Sequence, residues 1–449
     1  MKEKIIELIS NKDFKTLKEL LSGMNNVEIS DVLDELADED LAIIFRLLPK
    51  DEAADIFSYM EPDTQEKLVR LLSDQEIGEV ISDLFVDDAA DLVQEMPANL
   101  VTRILKNADP SMRKAINEIL KYPEDSAGSI MTTEYVYLRK DWTVRESFEK
   151  IRQIGLNKET VYICYVLDNS RHLIGVTTVK DLLMHDYDTK IRDIMEENVV
   201  TINTTDDQEA VARMFDKYDY LAMPVVDNEN RMVGIVTVDD AMDVLTEENE
   251  EDFEVMAGIA PSDESYMKMS VFKMYKNRIV WLLFLMLSAT VTGVIINRYE
   301  EAFAHVAILV SFIPMIMDTG GNCGSQSSTM VIRGLATEDI RIKDFLKVWI
   351  KEAAVAVMCG ATLAVVNAIR IMIMYPDRPD KLILSFVIGL TLIATAFLAK
   401  SLGALLPILA KILKMDPAAM ASPLITTVVD TCSILIYFNI AVALMHITL

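Results

Sequence analysis

Through residues 1–125, apolar residues recur at steps of three and four and runs of β-branched residues are rare, which predicts helix throughout. The stretch "DEAADIFSYM" (51–60) returns as "DDAADLVQEM" (87–96), 36 residues later. Each copy is followed by a proline-bearing break and another amphipathic helix, so the repeat predicts a small stack of helical hairpins. From 126 to 245 the period shortens. "YVYL" (135–138), "VYICYVLD" (161–168), "HLIGVTTV" (172–179), "MPVVD" (223–227) and "MVGIVTV" (232–238) are short strand-like runs bounded by turn residues, with helical patterns between them. Residues 246–270 open with a dense acidic run that predicts a helical connector. Beyond 271 come five apolar stretches, at about 279–296, 302–332, 353–374, 382–406 and 422–447, each long enough to cross a bilayer.

Charge sharpens this division. The chain has 449 residues and a net charge of −27, yet residues 1–270 carry −31 and the remainder +4. So acidic a front argues against nucleic acid or an anionic membrane face as its partner and favours cations. The four cysteines (Cys164, Cys323, Cys359, Cys432) are far apart and suggest neither a disulfide framework nor a zinc site. "MKEKIIELISNKDF" is too short an apolar run for a signal peptide, so the front is expected in the cytoplasm. Basic residues before the first stretch (Lys273, Lys276, Arg278), after the second (Arg333, Arg341, Lys343, Lys347) and after the fourth (Lys411, Lys414) agree with that side. Five spans then put the C-terminus outside the cell.

The middle segment is duplicated. "SIMTTEYVYL" (129–138) matches "DIMEENVVTI" (193–202), and "GVTTVKD" (175–181) matches "GIVTVDD" (234–240), both fitting Gly-x-x-Thr-x-x-Asp. Two such β-α-β-β-α units resemble a tandem pair of cystathionine-β-synthase (CBS) domains. The resemblance implies an adenosine nucleotide near the Thr and Asp. In the first copy Thr178, Lys180 and Asp181 are the candidates, because Lys180 can face a phosphate where the second copy has the repelling Asp239. The alternative is that Thr-x-x-Asp merely caps a helix.

Two of the apolar stretches carry unexpected polarity. The second, "SFIPMIMDTGGNCGSQSSTMVIRGLA" (311–336), holds Asp318, Gly320, Gly321, Asn322 and a run of small polar residues. The glycines fit a tight helix crossing; the polar groups fit the wall of a wet path. The fifth holds Asp430 with Thr426 and Thr427 about one turn before it. A carboxylate at that depth costs at least a few kcal/mol. It is either kept neutral, capped by hydroxyls, part of a proton relay, or the anionic donor of a cation path. The last accounts best for the surroundings: a strongly hydrated ion such as magnesium binds through few carboxylates, and a two-fold axis would supply two.

An acidic helical front, a CBS pair, a connecting helix and five spans resemble the architecture of the MgtE family of magnesium channels. "PMIMDTGGNCGSQSSTMVIRGLA" and "DPAAMASPLITTVVDT" are similar to that family's signatures, with Cys323 and Ser325 where relatives often have other small residues. The resemblance implies a homodimeric Mg2+ channel of the bacterial inner membrane with a pore lined by the second and fifth spans. Its pore residues would be Asp430, Thr426, Thr427, Asn322, Gly321 and, at the cytoplasmic mouth, Asp416. It also implies closure by regulatory Mg2+ held by Asp87, Asp91, Asp207, Asp219, Asp240, Asp243, Glu248, Glu251, Asp252 and Asp416, with ATP as a modulator at the CBS pair. The expected fold class is therefore multidomain. It comprises an α-helical N-terminal superhelical domain (1–125), tandem α/β CBS domains (126–188 and 189–245), a connecting or plug helix (246–270), and an all-α membrane domain of five transmembrane helices (271–449).

Two other functions compete. An ion-coupled secondary transporter of divalent cations is disfavoured by the lack of a duplicated membrane half. A membrane-tethered enzyme is disfavoured because no nucleophile–base set, phosphate loop or metal–histidine cluster is visible.

Overall fold

A computed structural model describes residues 2–262, 266–267, 269–304, 306–420 and 422–446. Met1, part of the expected connector, His305 within the second expected span and Ile447 at the end of the fifth lie outside the described residues. The chain divides into two compact units, Met1–Thr246 and Glu247–Leu449.

The first unit begins with short helices: α1 (Lys2–Ser10), α2 (Phe14–Leu21), α3 (Asn26–Asp34), α4 (Asp38–Phe45), α5 (Lys50–Ser58), α6 (Pro62–Leu71), α7 (Asp74–Asp83), α8 (Val86–Glu95), α9 (Ala98–Asn107) and α10 (Pro110–Ile119). From α5 onward a helix starts every 12 residues. Each corner has its own stop-and-start chemistry. Pro62 and Pro110 occupy first-turn positions where no backbone donor is needed, and Ser73 with Glu76 forms a reciprocal capping box. Helices pack on the next but one, α3 on α5, α4 on α6, α5 on α7, α7 on α9 and α8 on α10, around a continuous core that includes Ile44, Ile56, Leu68, Ile81 and Ile104. The 36-residue repeat therefore spans three helices, α5–α7 and then α8–α10, rather than the expected two-helix hairpins. The breaks at Ser73 and Ala108 carry no glycine, so the extra corner hides inside a helix-like period.

The CBS pair follows. Strands β1 (Tyr135–Leu138), β2 (Thr160–Leu167) and β3 (Leu173–Thr178) form one sheet, and β4 (Ile202–Asn203), β5 (Ala222–Val226) and β6 (Met232–Thr237) the other. In each, the first two strands are parallel and the last two antiparallel. Helices α11 (Val144–Ile154), α12 (Val179–Met184) and α13 (Gln208–Tyr218) pack on them. The repeats are reciprocally crossed: Thr132, ahead of the first, bridges Ile235 on β6, and Glu196, ahead of the second, bridges Val176 on β3. This crossing explains the duplicated glycines. A Cβ on Gly234 would run into Met131 and the Thr132 carbonyl, and one on Gly175 into Met195 and the Glu196 carbonyl. The close approach each glycine permits is made by the other repeat's chain.

The last helix of the pair, α14 (Val238–Met256), continues without a break through the boundary expected at 245. It starts eight residues before the expected connector and ends well before residue 270. Gly258, with φ +72°, stops it, as a left-handed residue after a helix commonly does.

The second unit holds α15 (Val271–Ala304), α16 (Ile313–Ala336), α17 (Phe345–Met374), α18 (Lys381–Ile412) and α19 (Ser422–Met445). Helices α16, α18 and α19 pack together, α17 lies on α18, and α15 on α19. Four segments among the described residues are long and apolar enough to cross a membrane: Val271–Tyr299, Ile342–Met374, Lys381–Ile412 and Ala418–Met445. The expected count of five is not met on length and composition, because α16 interrupts its apolar run with Asp318, Asn322, Gln326 and several serines.

Candidate ion path and acidic regulatory sites

Helices α16 and α19 meet at Gly321. A Cβ added there would lie 3.0 Å from Thr426 Cγ2 and 3.9 Å from Asp430 Oδ1. Gly320, one residue earlier, is walled by Val429, Ser433 and Thr395. The paired glycines thus admit a tight crossing, and that crossing presents Asp430, half-buried, to α16. Thr426 and Thr427 donate to the Pro423 carbonyl, at 2.9 and 3.0 Å, so their hydroxyl hydrogens are spent within their own helix. Asn322 is exposed. It belongs to a stripe with Asp318, Gln326 and Thr329, all exposed and spaced at three and four residues along α16. Gln326 was expected with Asn322 in the wall of the path; Asp318 was not assigned to it, although its four-residue spacing from Asn322 is visible in the sequence. Asp416 is exposed, and its Oδ1 accepts from the Ala418 amide at 2.7 Å, shaping the turn into α19. Beside that turn, Val255 and Met256 at the end of α14 pack against Ile332 of α16 and Ala418.

In the first unit, carboxylates from three elements come together. Asp87, 8% exposed, and Asp88 begin α8, Asp239 and Asp240 begin α14, and Glu159 precedes β2. Burial, reinforced by the charge of Asp240, holds Asp87 well above the usual carboxylate range. The same causes push Asp88 up to about 6 and Glu159 up to about 8. Burial also raises Asp240, opposed by its bond from Thr237. Oδ1 of Asp87 is buried without a hydrogen-bond donor. Of these, Asp87 and Asp240 were expected from the sequence. Asp88 and Glu159 were missed: Asp88 neighbours an expected residue, but nothing local marks Glu159, which tertiary folding brings in.

The other expected metal residues are dispersed. Asp207 and Asp219 sit at opposite ends of α13; Asp207 caps it through Ala210 N, and Asp219 closes it in the left-handed conformation at φ +53°. Asp91 is exposed one turn beyond Asp87, and Asp243 is exposed on the second turn of α14. Glu248, Glu251 and Asp252 lie on its C-terminal half. No group of three His, Cys, Asp or Glu among the described residues is placed to hold a metal ion.

Both Thr-x-x-Asp motifs are helix caps. Thr178 Oγ1 donates to Asp181 Oδ2 at 2.6 Å, and the Asp181 amide donates back to Thr178 Oγ1 at 3.1 Å, a full capping box. In the second, the Thr237 amide and Oγ1 both donate to Asp240 Oδ2. Lys180 is exposed beside the first cap.

This is a membrane protein carrying an acidic helical domain and a CBS pair ahead of a bundle of long helices. The chain belongs to the MgtE family. The model of the MgtE divalent cation transporter matches residues 313–440, that of the MgtE intracellular N domain matches 24–125, and the CBS domain matches 127–188 and 191–247. The magnesium transporter MgtE of Thermus thermophilus is 36% identical over 97% of this chain and 96% of its own. The magnesium transporter MgtE of Bacillus subtilis is 34% identical over 92% and 93%. Among solved structures, the cytosolic domain of the Mg2+ channel MgtE in complex with ATP is 36% identical. It covers 54% of this chain and 100% of its own, with a TM-score of 0.52. The soluble part of a magnesium transporter is 31% identical, covering 55% and 97%, also at 0.52.

Proposed function

We propose that the chain is a homodimeric Mg2+-selective channel for magnesium uptake across the bacterial inner membrane. Its N-terminus is cytoplasmic, its C-terminus extracytoplasmic, and Mg2+ bound to its acidic front closes it. The observation that carries this reading is Asp430 facing Gly321 beside the exposed stripe Asp318–Asn322–Gln326–Thr329. Such a stripe is not stable against hydrocarbon. A second copy covering it makes α16 the fifth span, encloses a wet path and brings two Asp430 carboxylates to one ion. With few protein ligands at that point, a magnesium ion passes with most of its waters retained. The names of the full-length relatives support magnesium as the cargo.

For closure, Asp87, Asp88, Glu159 and Asp240 are the residues that would hold a regulatory ion, and the buried, donor-free Asp87 oxygen fits one. The ion supplies countercharge. Without it the carboxylates repel, and the contact between the helical front and the CBS pair loosens. Helix α14 leads from this cluster to the packing on Ile332 and Ala418 at the mouth of the path. ATP, present in a relative's cytosolic domain, would sit near Thr178, Lys180 and Asp181 and bias the same contact.

The test is uptake of magnesium by cells lacking other magnesium transporters. The wild-type chain restores growth at low magnesium, and Asp430→Ala, recovered folded and dimeric, does not. Full uptake by that variant removes Asp430 from the path. Flux that requires an imposed proton or sodium gradient makes the chain a secondary transporter.

A further inference from the structure

Helix α16 has an unusual problem of rotational setting. One face buries Gly320, Gly321, Cys323, Gly324, Ser327 and Ser328, while the other exposes Asp318, Asn322, Gln326 and Thr329. Apolar buried residues (Ile313, Ile316, Val331, Ile332, Leu335) lie toward the two ends of the helix; over the middle turns both faces are small or polar, so hydrophobic contrast there does little to fix which side turns inward. A one-residue slip rotates the helix by about 100° and would carry part of the exposed stripe into the packed interface.

A charged cluster on the buried face supplies the missing direction. Ser327 Oγ donates to Glu352 Oε2 of α17 at 2.5 Å and accepts from Lys400 Nζ of α18 at 3.2 Å, and the two charged groups lie 3.7 Å apart. Lys400 is 4% exposed and Ser327 1%. Lys400 is 12 residues from the end of α18, roughly 18 Å along its axis, and is enclosed by protein rather than turned outward. Around it the helices are in backbone contact: a Cβ on Gly403 would run into the Gly324 carbonyl. Next to it Trp349 Nε1 donates to Ser401 Oγ at 3.1 Å, tying α17 to α18. The cluster thus joins a braced α17–α18 pair to a single position on α16. A serine between an anion and a cation satisfies both only when its hydroxyl points one way.

The geometry points to Lys400 and Glu352 as positioning residues that fix the rotation of α16 and so aim Asn322 and Gln326 at the ion path. This rests on α16 being a wall of that path. An ion pair of this kind contributes little net stability relative to an apolar pair, and in this proposal its role is to set the register of α16. The pair therefore acts on selectivity through α16, without touching the ion.

Cys323, 7% exposed and one turn before Ser327 on the same face, is a native reporter. In a full-length chain with Cys164, Cys359 and Cys432 changed to serine, a charged, membrane-impermeant methanethiosulfonate reagent labels Cys323 slowly. Lys400→Met alone leaves the partly buried Glu352 carboxylate without its cation and is expected to be poorly recovered; Lys400→Met with Glu352→Leu removes both charges and folds. In that double variant Cys323 labels at least roughly tenfold faster and the ratio of Mg2+ to Ca2+ uptake falls several-fold, because the rotational preference is gone. Lys400→Arg keeps both values near wild type. A folded double variant with Cys323 still protected and the uptake ratio unchanged overturns the proposal, as does a double variant that fails to fold, since the pair would then be needed for stability. Labelling reads rotation whatever ion is carried, so a wild-type chain that moves no magnesium ends the channel reading while this test still reports.

Discussion

The acid cluster of the first unit and the ion pair of the second handle buried charge in opposite ways. Around Asp87, carboxyl groups crowd together, one carboxylate oxygen has no donor, and burial with mutual repulsion raises their pKa values. Around Lys400, unlike charges meet through a serine with every short contact made within the protein. An arrangement completed by its own side chains is fixed. One left short of positive charge responds to whatever cation or proton is supplied. The contrast assigns adjustability to the front and geometry to the helical bundle.

The sharpest way to break this comparison is at Asp430, where Asp430→Ala is expected to reduce magnesium uptake to background. Next is the front. Asp88→Asn with Glu159→Gln replaces two carboxyl groups that burial and mutual repulsion disfavour in their charged form, and is expected to stabilise the magnesium-free N-terminal unit by about 1 kcal/mol, given that one unit of pKa shift is worth about 1.4 kcal/mol before solvent screening. Millimolar magnesium is expected to protect the wild type from protease, and the same variant to lose most of that protection; undiminished protection would place the regulatory ion elsewhere. A smaller effect is expected from pH. The folded contact binds protons more tightly than the unfolded chain, because Asp88 and Glu159 are raised to about 6 and about 8. Stability present at low pH is then lost as pH climbs through that window, and thermal unfolding without magnesium should show it, with the slope flattened once the ion is added. The smallest effect sharpens the nucleotide question. Thr178→Ala breaks one cap and should cost about 1 kcal/mol. A matching loss of ATP affinity by calorimetry would give Thr178 a binding role beyond the cap.

Much of this arrangement is legible in the sequence wherever the signal is local. The change of hydrophobic period at residue 126, the duplicated Gly-x-x-Thr-x-x-Asp and the isolated Asp430 each follow from a few neighbouring residues. The three-helix repeat is not, since a corner made by Ser73 or Ala108 leaves the three-and-four rhythm almost unbroken. The duplicated glycines do signal a close approach, but what approaches is another part of the chain, which no local pattern reveals. Glu159 and Glu352 are invisible for a similar cause. Each reads as an ordinary acid until folding sets it beside Asp240 or Lys400, far away in the chain.

The mutual bridging of the CBS repeats bears on how such a pair can arise and be dissected. Because Met131 and Thr132 seal Gly234 while Met195 and Glu196 seal Gly175, each half borrows its lid from its sibling. A lone half is an unfinished object with an open seam rather than a smaller sensor. Expression of residues 127–188 without 191–247 should yield either an unstable fragment or one that finds a second copy of itself to close the gap.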